Sequence, residues 1–181
     1  MCHYGLALLV ALASFSTSAF ADEDEPRISP VRRTSIVTAD VDGSLHFYRD
    51  LLGFTVEYDV KVTDPGQLSL VNPDAKVGRA IALRRERLGG SIGLFWAPGL
   101  ASPGPCDGPV RGGTVSMLLL TDGIDQLQQK LKTAGVPFLQ EAAQYSASRG
   151  PTRAFTVIDP NCVRVAVAQI ENETLEESLA K

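Results

Sequence analysis

The sequence contains few of the side chains that most often bind metal ions or act as nucleophiles. Its 181 residues include 2 histidines and 3 cysteines, and no CxxC pair or Cys/His cluster is present. A zinc site built on thiolates is therefore not expected. A serine nucleophile is not supported either, because beyond His3 the only histidine is His46, which helical spacing places on the outer face of a helix.

Basic charge is also scarce, which argues against a nucleic-acid partner. The formal net charge is −4, whereas nucleic-acid binding needs a concentrated basic surface. The pairs Gly89–Gly90 and Gly112–Gly113 are too short and wrongly placed for a phosphate-binding loop.

The first 21 residues have the pattern of a signal peptide. Residues 6–15 are apolar, Ala19–Phe20–Ala21 is a cleavage signal, and residues 22–30 form an acidic, proline-bearing linker. We predict cleavage after Ala21, a periplasmic or secreted protein, and no integral membrane segment after cleavage. The first five residues carry no Lys or Arg, so a wrongly assigned start codon or an uncleaved anchor stays an alternative.

Cleavage at that site would leave Cys106 and Cys162 as the cysteines of the mature chain. Both fall in predicted loops, and an exported protein meets oxidising conditions in which a disulfide can form. Sequence spacing does not test the geometry of such a bond, so whether the two are bonded stays open at this point.

The pattern strand–helix–strand is clearest in residues 31–63. Residues 31–38 are β-branched and apolar, as in a strand. Asp42 or Ser44 can cap a helix over residues 42–52, and Gly53 can end it in a left-handed conformation. Residues 54–63 then predict a second strand.

The remaining elements follow from turn residues and alternation. Residues 64–78 predict a loop with a short helical turn, 79–87 and 91–97 predict strands, and 98–113 form a Pro- and Gly-rich linking loop. Asp122 can cap a helix that carries an apolar stripe. Residues 114–121, 136–145, 152–158 and 163–170 predict strands, and 171–181 an acidic, helix-prone tail.

The two halves of the chain share one pattern. Asp40 and Asp122 are separated by the same number of residues as Gly53 and Gly135, with strand, turn, helix and further strands in the same order. Two copies with so long a period favour a duplicated module. The alternative is a coincidence between two common strand–helix units.

Two motifs make this chain resemble the vicinal oxygen chelate superfamily, which contains glyoxalase I, bleomycin-resistance proteins, fosfomycin-resistance enzymes and extradiol dioxygenases. The first is DVDGSLHFYRDLLGF at residues 40–54, and the second is Asp159–Pro160–Asn161, with Cys162 where the family usually has glycine. The resemblance covers residues 31–170. It implies an α+β fold in which two βαβββ modules, residues 31–97 and 114–170, form a curved mixed sheet around a cavity with the helices outside.

The resemblance also implies where a metal ion would bind in metal-dependent relatives. The four ligand positions, usually His or Gln on each first strand and Glu on each last strand, fall here on Arg33, Gly93, Ser116 and Ala166. None of these is a good metal ligand, and shifting the register by one residue does not help. We therefore predict no metal and no other cofactor, and we assign no catalytic residue.

Strand alternation predicts which side chains face the cavity. The candidate ligand-binding residues are Arg33, Ser35, Phe95, Ser116 and Arg164. Two guanidinium groups beside hydroxyls suit a carboxylate or phosphate, because arginine offers a planar fork of donors. The alternatives are that either arginine extends to the rim of the cavity or pairs with an acid such as Glu57 or Glu86, and that Phe95 is ordinary core.

Three functions stay open from the sequence. The first is an exported protein that binds a small molecule, with an anion favoured, as bleomycin-resistance proteins bind a drug without chemistry. The second is an enzyme of the family, a glyoxalase-like lyase or dioxygenase, with an unrecognised metal site. The third is a degenerate domain that serves protein interaction. Whether the modules swap between subunits of a homodimer, as the resemblance allows, is also open.

Overall fold

The computed structural model describes residues 29, 31–85, 90–106, 108, 112 and 114–180. Contacts divide the chain into Met1–Pro30 and Val31–Lys181, and all elements below belong to the second unit. The predicted signal peptide, like most of the predicted linker, lies outside the described residues. Within the described part of the chain, no helix has the length and apolar character needed to cross a membrane.

Each half of the second unit forms one βαβββ module. The first contains β1 (Arg33–Val37), α1 (Val41–Leu45) continued by a π-helix (His46–Leu51), β2 (Thr55–Val62), the short α2 (Pro65–Leu68), β3 (Gly78–Arg84) and β4 (Ser91–Trp96). The second contains β5 (Ser116–Leu120), α3 (Ile124–Thr133), β6 (Phe138–Ala147), β7 (Gly150–Ile158) and β8 (Arg164–Ile170), and α4 (Leu175–Ala180) follows it.

The two sheets repeat the same topology. Their strand orders are β1-β4-β3-β2 and β5-β8-β7-β6, and the parallel pairs are β1 with β4 and β5 with β8. The other neighbours are antiparallel. The predicted α+β fold of two βαβββ modules is therefore confirmed, with one four-stranded mixed sheet in each module.

One apolar core runs through both modules. Tyr48 from the first helix, Leu94 from β4, Leu131 from α3 and Val165 from β8 all belong to it and are at most 1% exposed. Of the predicted stripe on α3, Ile124 and Leu131 are buried and Leu127 is half-buried, whereas Ala134 is exposed. The helices therefore cover one face of the sheets and leave the other face for a site.

The helix starts differ from the sequence prediction. Asp40, rather than Asp42 or Ser44, caps α1, because its carboxylate accepts from the Gly43 amide at 2.9 Å. The assignment of Asp122 as the cap of α3 is wrong. The Ile124 amide instead donates to the side-chain oxygen of Gln169 on β8 at 3.1 Å, an acceptor that only the folded sheet brings near.

The boundaries of β3 also shift, whereas the short helical turn before it is confirmed. β3 begins at Gly78 and ends at Arg84, earlier than the predicted 79–87, and residues 86–89 lie outside the described residues. The predicted helical turn in residues 64–78 is α2, which Asp64 caps through the Gln67 amide at 2.9 Å.

A polar junction joins the two modules. The hydroxyl of Tyr48 donates to the Asp159 carboxylate at 2.8 Å, and the Asn161 side-chain amide donates to Ser44 Oγ at 3.0 Å. Lys130 on α3 donates to the main-chain carbonyls of Asp50 and Leu51, at the end of the π-helix. The closing turn of the second module is thus fixed against the first helix.

Cys106 and Cys162 form a disulfide, which settles the question that the sequence left open. Their Cα atoms are 5.0 Å apart. Cys162 has φ 63°, the left-handed conformation that explains why glycine is usual at this position of the resemblance. The bond ties the linking loop to the Asp159 turn.

The Tyr48–Asp159 hydrogen bond predicts the effect of Tyr48→Phe. A hydrogen bond to a charged group contributes about 1.5–3 kcal/mol, so the free energy of unfolding at pH 7 should fall by about that amount in urea denaturation. Tyr145→Phe, at a residue that is 40% exposed, is the control and should change little. Equal effects of the two substitutions would contradict this account of the junction.

The same bond predicts a loss of stability at alkaline pH. Burial, and then the Asp159 carboxylate, raise the pKa of Tyr48 well above its ordinary value of 10.0. Above pH 10 the unfolded chain loses this proton while the folded chain keeps it, so stability falls by up to about 1.4 kcal/mol per pH unit from this group. In the Tyr48→Phe variant, the part of this loss of stability that comes from Tyr48 should be absent between pH 9 and 11.

Candidate functional site

Arg33, Ser35 and Gly93 lie side by side on the face of the first sheet opposite the helices. β1 and β4 are parallel neighbours with Ser35 opposite Gly93. A Cβ atom at Gly93 would lie 2.9 Å from Arg33 Cδ, 3.1 Å from Ser35 Oγ and 3.4 Å from Phe95 Cε2. Three of the candidate residues therefore share one face, as strand alternation predicts.

Neighbouring side chains on the sheet hold the guanidinium of Arg33. Its Nε donates to Ser91 Oγ at 3.1 Å, and its Nη1 donates to the hydroxyl of Tyr58 on β2. The guanidinium carbon also lies 5.2 Å from the centre of the Tyr58 ring, a distance at which a cation is attracted to the ring face. The charge is thus positioned before any ligand arrives.

Glu57, which the sequence offers as an ion-pair partner of Arg33, pairs with a different arginine. Glu57 pairs with Arg84 at 3.4 Å, and Glu86 lies outside the described residues. In the part of the chain that the structure describes, no carboxylate forms an ion pair with Arg33. Its contacts with Ser91 and Tyr58 are with neutral groups, which orient the guanidinium but leave its positive charge in place.

The sequence analysis did not identify Tyr58 as a site residue, although the alternation of side chains along β2 could have indicated that it lies on the Arg33 face. Tyr58 and Phe95 pack against a small apolar cluster that contains Val62, Leu68 and Ala80. Helix α2 brings Leu68 over the sheet, and Gly78 permits this because a Cβ there would lie 2.8 Å from Leu68 Cδ2. Phe95 is therefore part of the floor of this face and is half-buried.

A second arginine, Arg79, forms an ion pair with Asp59 on the opposite face of the same sheet. Arg79 donates to the Asp59 carboxylate at 2.8 and 2.6 Å, and this bonding lowers the pKa of Asp59. Arg79 and Asp59 are each next in sequence to a residue of the Arg33 face, Ala80 and Tyr58, so alternation directs them away from it. This pair is a natural control for experiments on Arg33.

The candidate residues of the second module show the same alternation. Ser116 on β5 is the register partner of Arg164 on β8. Ser116 is exposed and Arg164 half-buried, whereas Met117 and Val165, one residue further along each strand, are buried. Ser116 and Arg164 therefore lie on the face away from the helices.

A cleft of about 510 Å³ lies between the modules. Both β1 and β5 contribute to its walls, which include Arg33 and Ser116 but not Ser35, Phe95 or Arg164. The five candidate residues therefore form two groups, one on each module, of which only Arg33 and Ser116 contact the same cavity. The volume lies within the range of roughly 300–1,000 Å³ that is usual for small-molecule sites.

The four positions at which the resemblance implies metal ligands are arranged alike in both modules. Arg33 pairs with Ser91, two residues before Gly93, and Ser116 pairs with Arg164, two residues before Ala166. The Arg33 side chain, however, lies beside Gly93 where a Glu side chain would need space. With an arginine, a glycine, a serine and an alanine, these positions do not fit a chelated divalent ion.

Potential metal ligands elsewhere in the described residues are also far apart. Among the described residues, no three His, Cys, Asp or Glu side chains are close enough together to hold a metal ion. His46 is exposed and pairs with Asp50 at 3.3 Å on the outside of the first helix. Asp50 also pairs with Arg49, which is the main reason that its pKa is lowered to about 2.

Comparison with known proteins identifies one family. A model of the Glyoxalase/Bleomycin resistance protein/Dioxygenase superfamily matches residues 30–167. No curated protein sequence matches this chain.

Solved structures show the same fold at low sequence identity. A glyoxalase family protein from Bacillus cereus is 17% identical, with a TM-score of 0.62 over 83% of this chain and 98% of that chain. The trypanothione-dependent glyoxalase I of Leishmania major is 18% identical, with a TM-score of 0.55 over 84% and 94%. An integron cassette protein from V. cholerae is 20% identical, with a TM-score of 0.51 over 80% and 98%. At these identities the likeness concerns the fold alone.

The residues at the four ligand positions predict how the protein responds to metals. Elemental analysis of the purified protein should find no stoichiometric Zn, Ni, Mn or Fe, and titration with each ion should give no saturable rise in Tm, because the residues at these four positions do not form a ligand set. Protein treated with a chelator serves as the reference. Near-stoichiometric metal, or a saturable rise of several degrees with one ion, would show that another ligand set exists.

Proposed function

This chain belongs to the Glyoxalase/Bleomycin resistance protein/Dioxygenase superfamily, and we propose that it binds a small anionic molecule at Arg33 without the superfamily's usual metal site. The observation that carries the proposal is the state of the Arg33 guanidinium. Ser91 and Tyr58 hold it in place on the sheet, yet no described carboxylate neutralises it. A fixed cation of this kind is suited to a carboxylate or phosphate.

Ser35 and Phe95 complete the proposed subsite on the first module. Ser35 Oγ and Arg33 Cδ both lie beside Gly93, so the Ser35 hydroxyl can donate to an anion held by the Arg33 guanidinium. Phe95 supplies an apolar surface beside them. Because Gly93 carries no side chain, the Arg33 side chain can lie against the sheet at this point.

The second module contributes Ser116 and Arg164 to the proposed binding site. Ser116 faces the cleft that Arg33 also lines, and its hydroxyl can bind a polar group of the same ligand. Arg164 neighbours Ser116 across the parallel pair. It offers a second cation for a ligand that extends beyond the cleft.

The proposal also includes export from the cytoplasm. It is supported by the signal-peptide pattern of residues 1–21 and by the Cys106–Cys162 disulfide, because disulfides persist mainly in oxidising compartments. Cys2 would leave with the signal peptide, so the mature chain would carry no free thiol.

Anion binding predicts a specific role for Arg33. Isothermal titration with inorganic phosphate and with small carboxylates should give saturable binding to the wild-type protein. Arg33→Ala should weaken it at least tenfold, since a charge-assisted hydrogen bond contributes about 1.5–3 kcal/mol. Arg33→Lys should give an intermediate loss because it keeps the charge but not the fork of donors.

Arg79→Ala is the matched control for these variants, because Arg79 pairs with Asp59 on the other face of the sheet. An equal loss in both alanine variants would show that the anion binds by general surface charge. Turnover of a substrate would favour the alternative of a family enzyme, and no affinity for any small anion would favour the alternative of an interaction domain.

Export predicts the mass and thiol content of the mature protein. The periplasmic or secreted form should begin at Asp22 by intact mass, and thiol titration after denaturation without reductant should find no free cysteine. A mass that includes residues 1–21, or a titratable thiol, would contradict it.

In the mature protein, Cys162→Ser should lower the free energy of unfolding by about 4 kcal/mol, because the disulfide closes a long loop. The conservative surface substitution Ser69→Ala should change the free energy of unfolding little.

A further inference from the structure

The two walls of the cleft differ in chemistry. The only charged side chains among its described lining residues are Arg33 and Arg85, both from the first module. The wall built by β5 and α4 is apolar apart from Ser116 and Thr121. A cavity with two cations on one side, no acid, and an apolar opposite side is complementary to a molecule with a charged head and an apolar chain.

From this asymmetry we infer that the natural ligand is an amphipathic monoanion, such as a carboxylate with a chain of several carbons. This inference rests on the proposed function, because the head group occupies the Arg33 subsite. The chain of the ligand lies along β5 and reaches the α4 side of the cleft. The head remains at the first-module wall, where Arg33 and Arg85 provide the positive charge.

Exposed apolar side chains on β5 and directly before it support this assignment. Val115 is 60% exposed and Leu118 67% exposed, and both line the cleft. Large apolar side chains that are exposed together inside a cavity indicate a binding surface more than an ordinary solvent face. A ligand chain that covers both would gain hydrophobic free energy at about 25 cal/mol per Å² buried.

Helix α4 is held in place as the far wall. Leu175 and Leu179 line the cleft. Thr174 and Glu177 exchange hydrogen bonds at the start of the helix, at 2.8 and 3.2 Å. Arg149 donates to the Ser178 carbonyl at 3.2 Å near its end. The acidic tail that the sequence predicts is thus docked, and its two leucines add apolar surface to the cavity.

The head-group side is also built before binding. Arg85 Nη1 donates to the carbonyl of Leu52, and Leu52 and Phe54 line the cleft beside it. Arg33 is held by Ser91 and Tyr58 as described above. Contacts within the first module therefore hold both cations, next to an apolar lining into which the ligand chain can pass.

The test compares anions of different chain length on the full mature chain. Isothermal titration with decanoate, below its micelle-forming concentration, should give binding at least tenfold tighter than butyrate. Decanol, which has the chain without the charge, should bind more weakly than decanoate. Arg33→Gln should weaken both carboxylates, whereas Leu118→Asp should weaken decanoate at least tenfold and butyrate much less.

Leu70→Asp is the matched control for Leu118→Asp, because Leu70 is 80% exposed and does not line the cleft. Leu179→Ala shortens the α4 wall without adding charge and should also weaken decanoate selectively. Circular dichroism of each variant checks that the fold is retained.

Three outcomes would overturn the inference, and they differ in what they say of the proposed function. Equal affinity for butyrate and decanoate, lost in Arg33→Gln, would leave the anion subsite standing and remove the chain subsite. Binding of neither, together with no phosphate binding, would remove both. A dimer in sedimentation that Leu118→Asp dissociates, with no decanoate binding, would assign the apolar wall to a second copy of the chain.

Discussion

The buried hydrogen bond between Tyr48 and Asp159 is the constraint on which the arrangement of the two modules depends. The Asp159 carboxylate is 3% exposed, and it also accepts from the main-chain amides of Asn161 and Val163 at 2.8 and 2.7 Å. A buried carboxylate without partners would cost several kcal/mol. Tyr48 is the donor to this carboxylate that comes from the first module, so the hydrogen bond fixes the closing turn of the second module against the first helix.

The disulfide adds a second constraint at the same turn. Cys162 follows Asn161 directly and is bonded to Cys106 in the linking loop, so a loop rich in Pro and Gly is tied where the modules meet. The hydrogen bond acts on the folded state through the satisfaction of polar groups, whereas the disulfide acts mainly by restricting the unfolded chain. Together they fix the linking loop and the closing turn of the second module where the two modules meet.

Arginine at residue 33 changes the chemistry of a face that the superfamily uses for metal ligands. Arg33 Cδ lies beside Gly93, so the position that could carry a glutamate is the one that leaves room for the stem of the arginine side chain. The same fold thus offers a cation of the protein itself where a chelated ion would supply positive charge. Recognition of an anion needs only this charge and its hydrogen-bond donors, which is why we favour binding over metal-assisted chemistry.

The sequence by itself determined the module order, the helix stripes, and the shared face of Arg33, Ser35 and Gly93, because helical and strand periodicity are local properties of the backbone. Tertiary structure alone decided the contacts between residues far apart in the chain. Tyr58 reaches Arg33 across the sheet, Gln169 rather than Asp122 bonds the start of α3, and α4 forms a wall of the cleft. Such contacts depend on strand order and register, which no local pattern encodes.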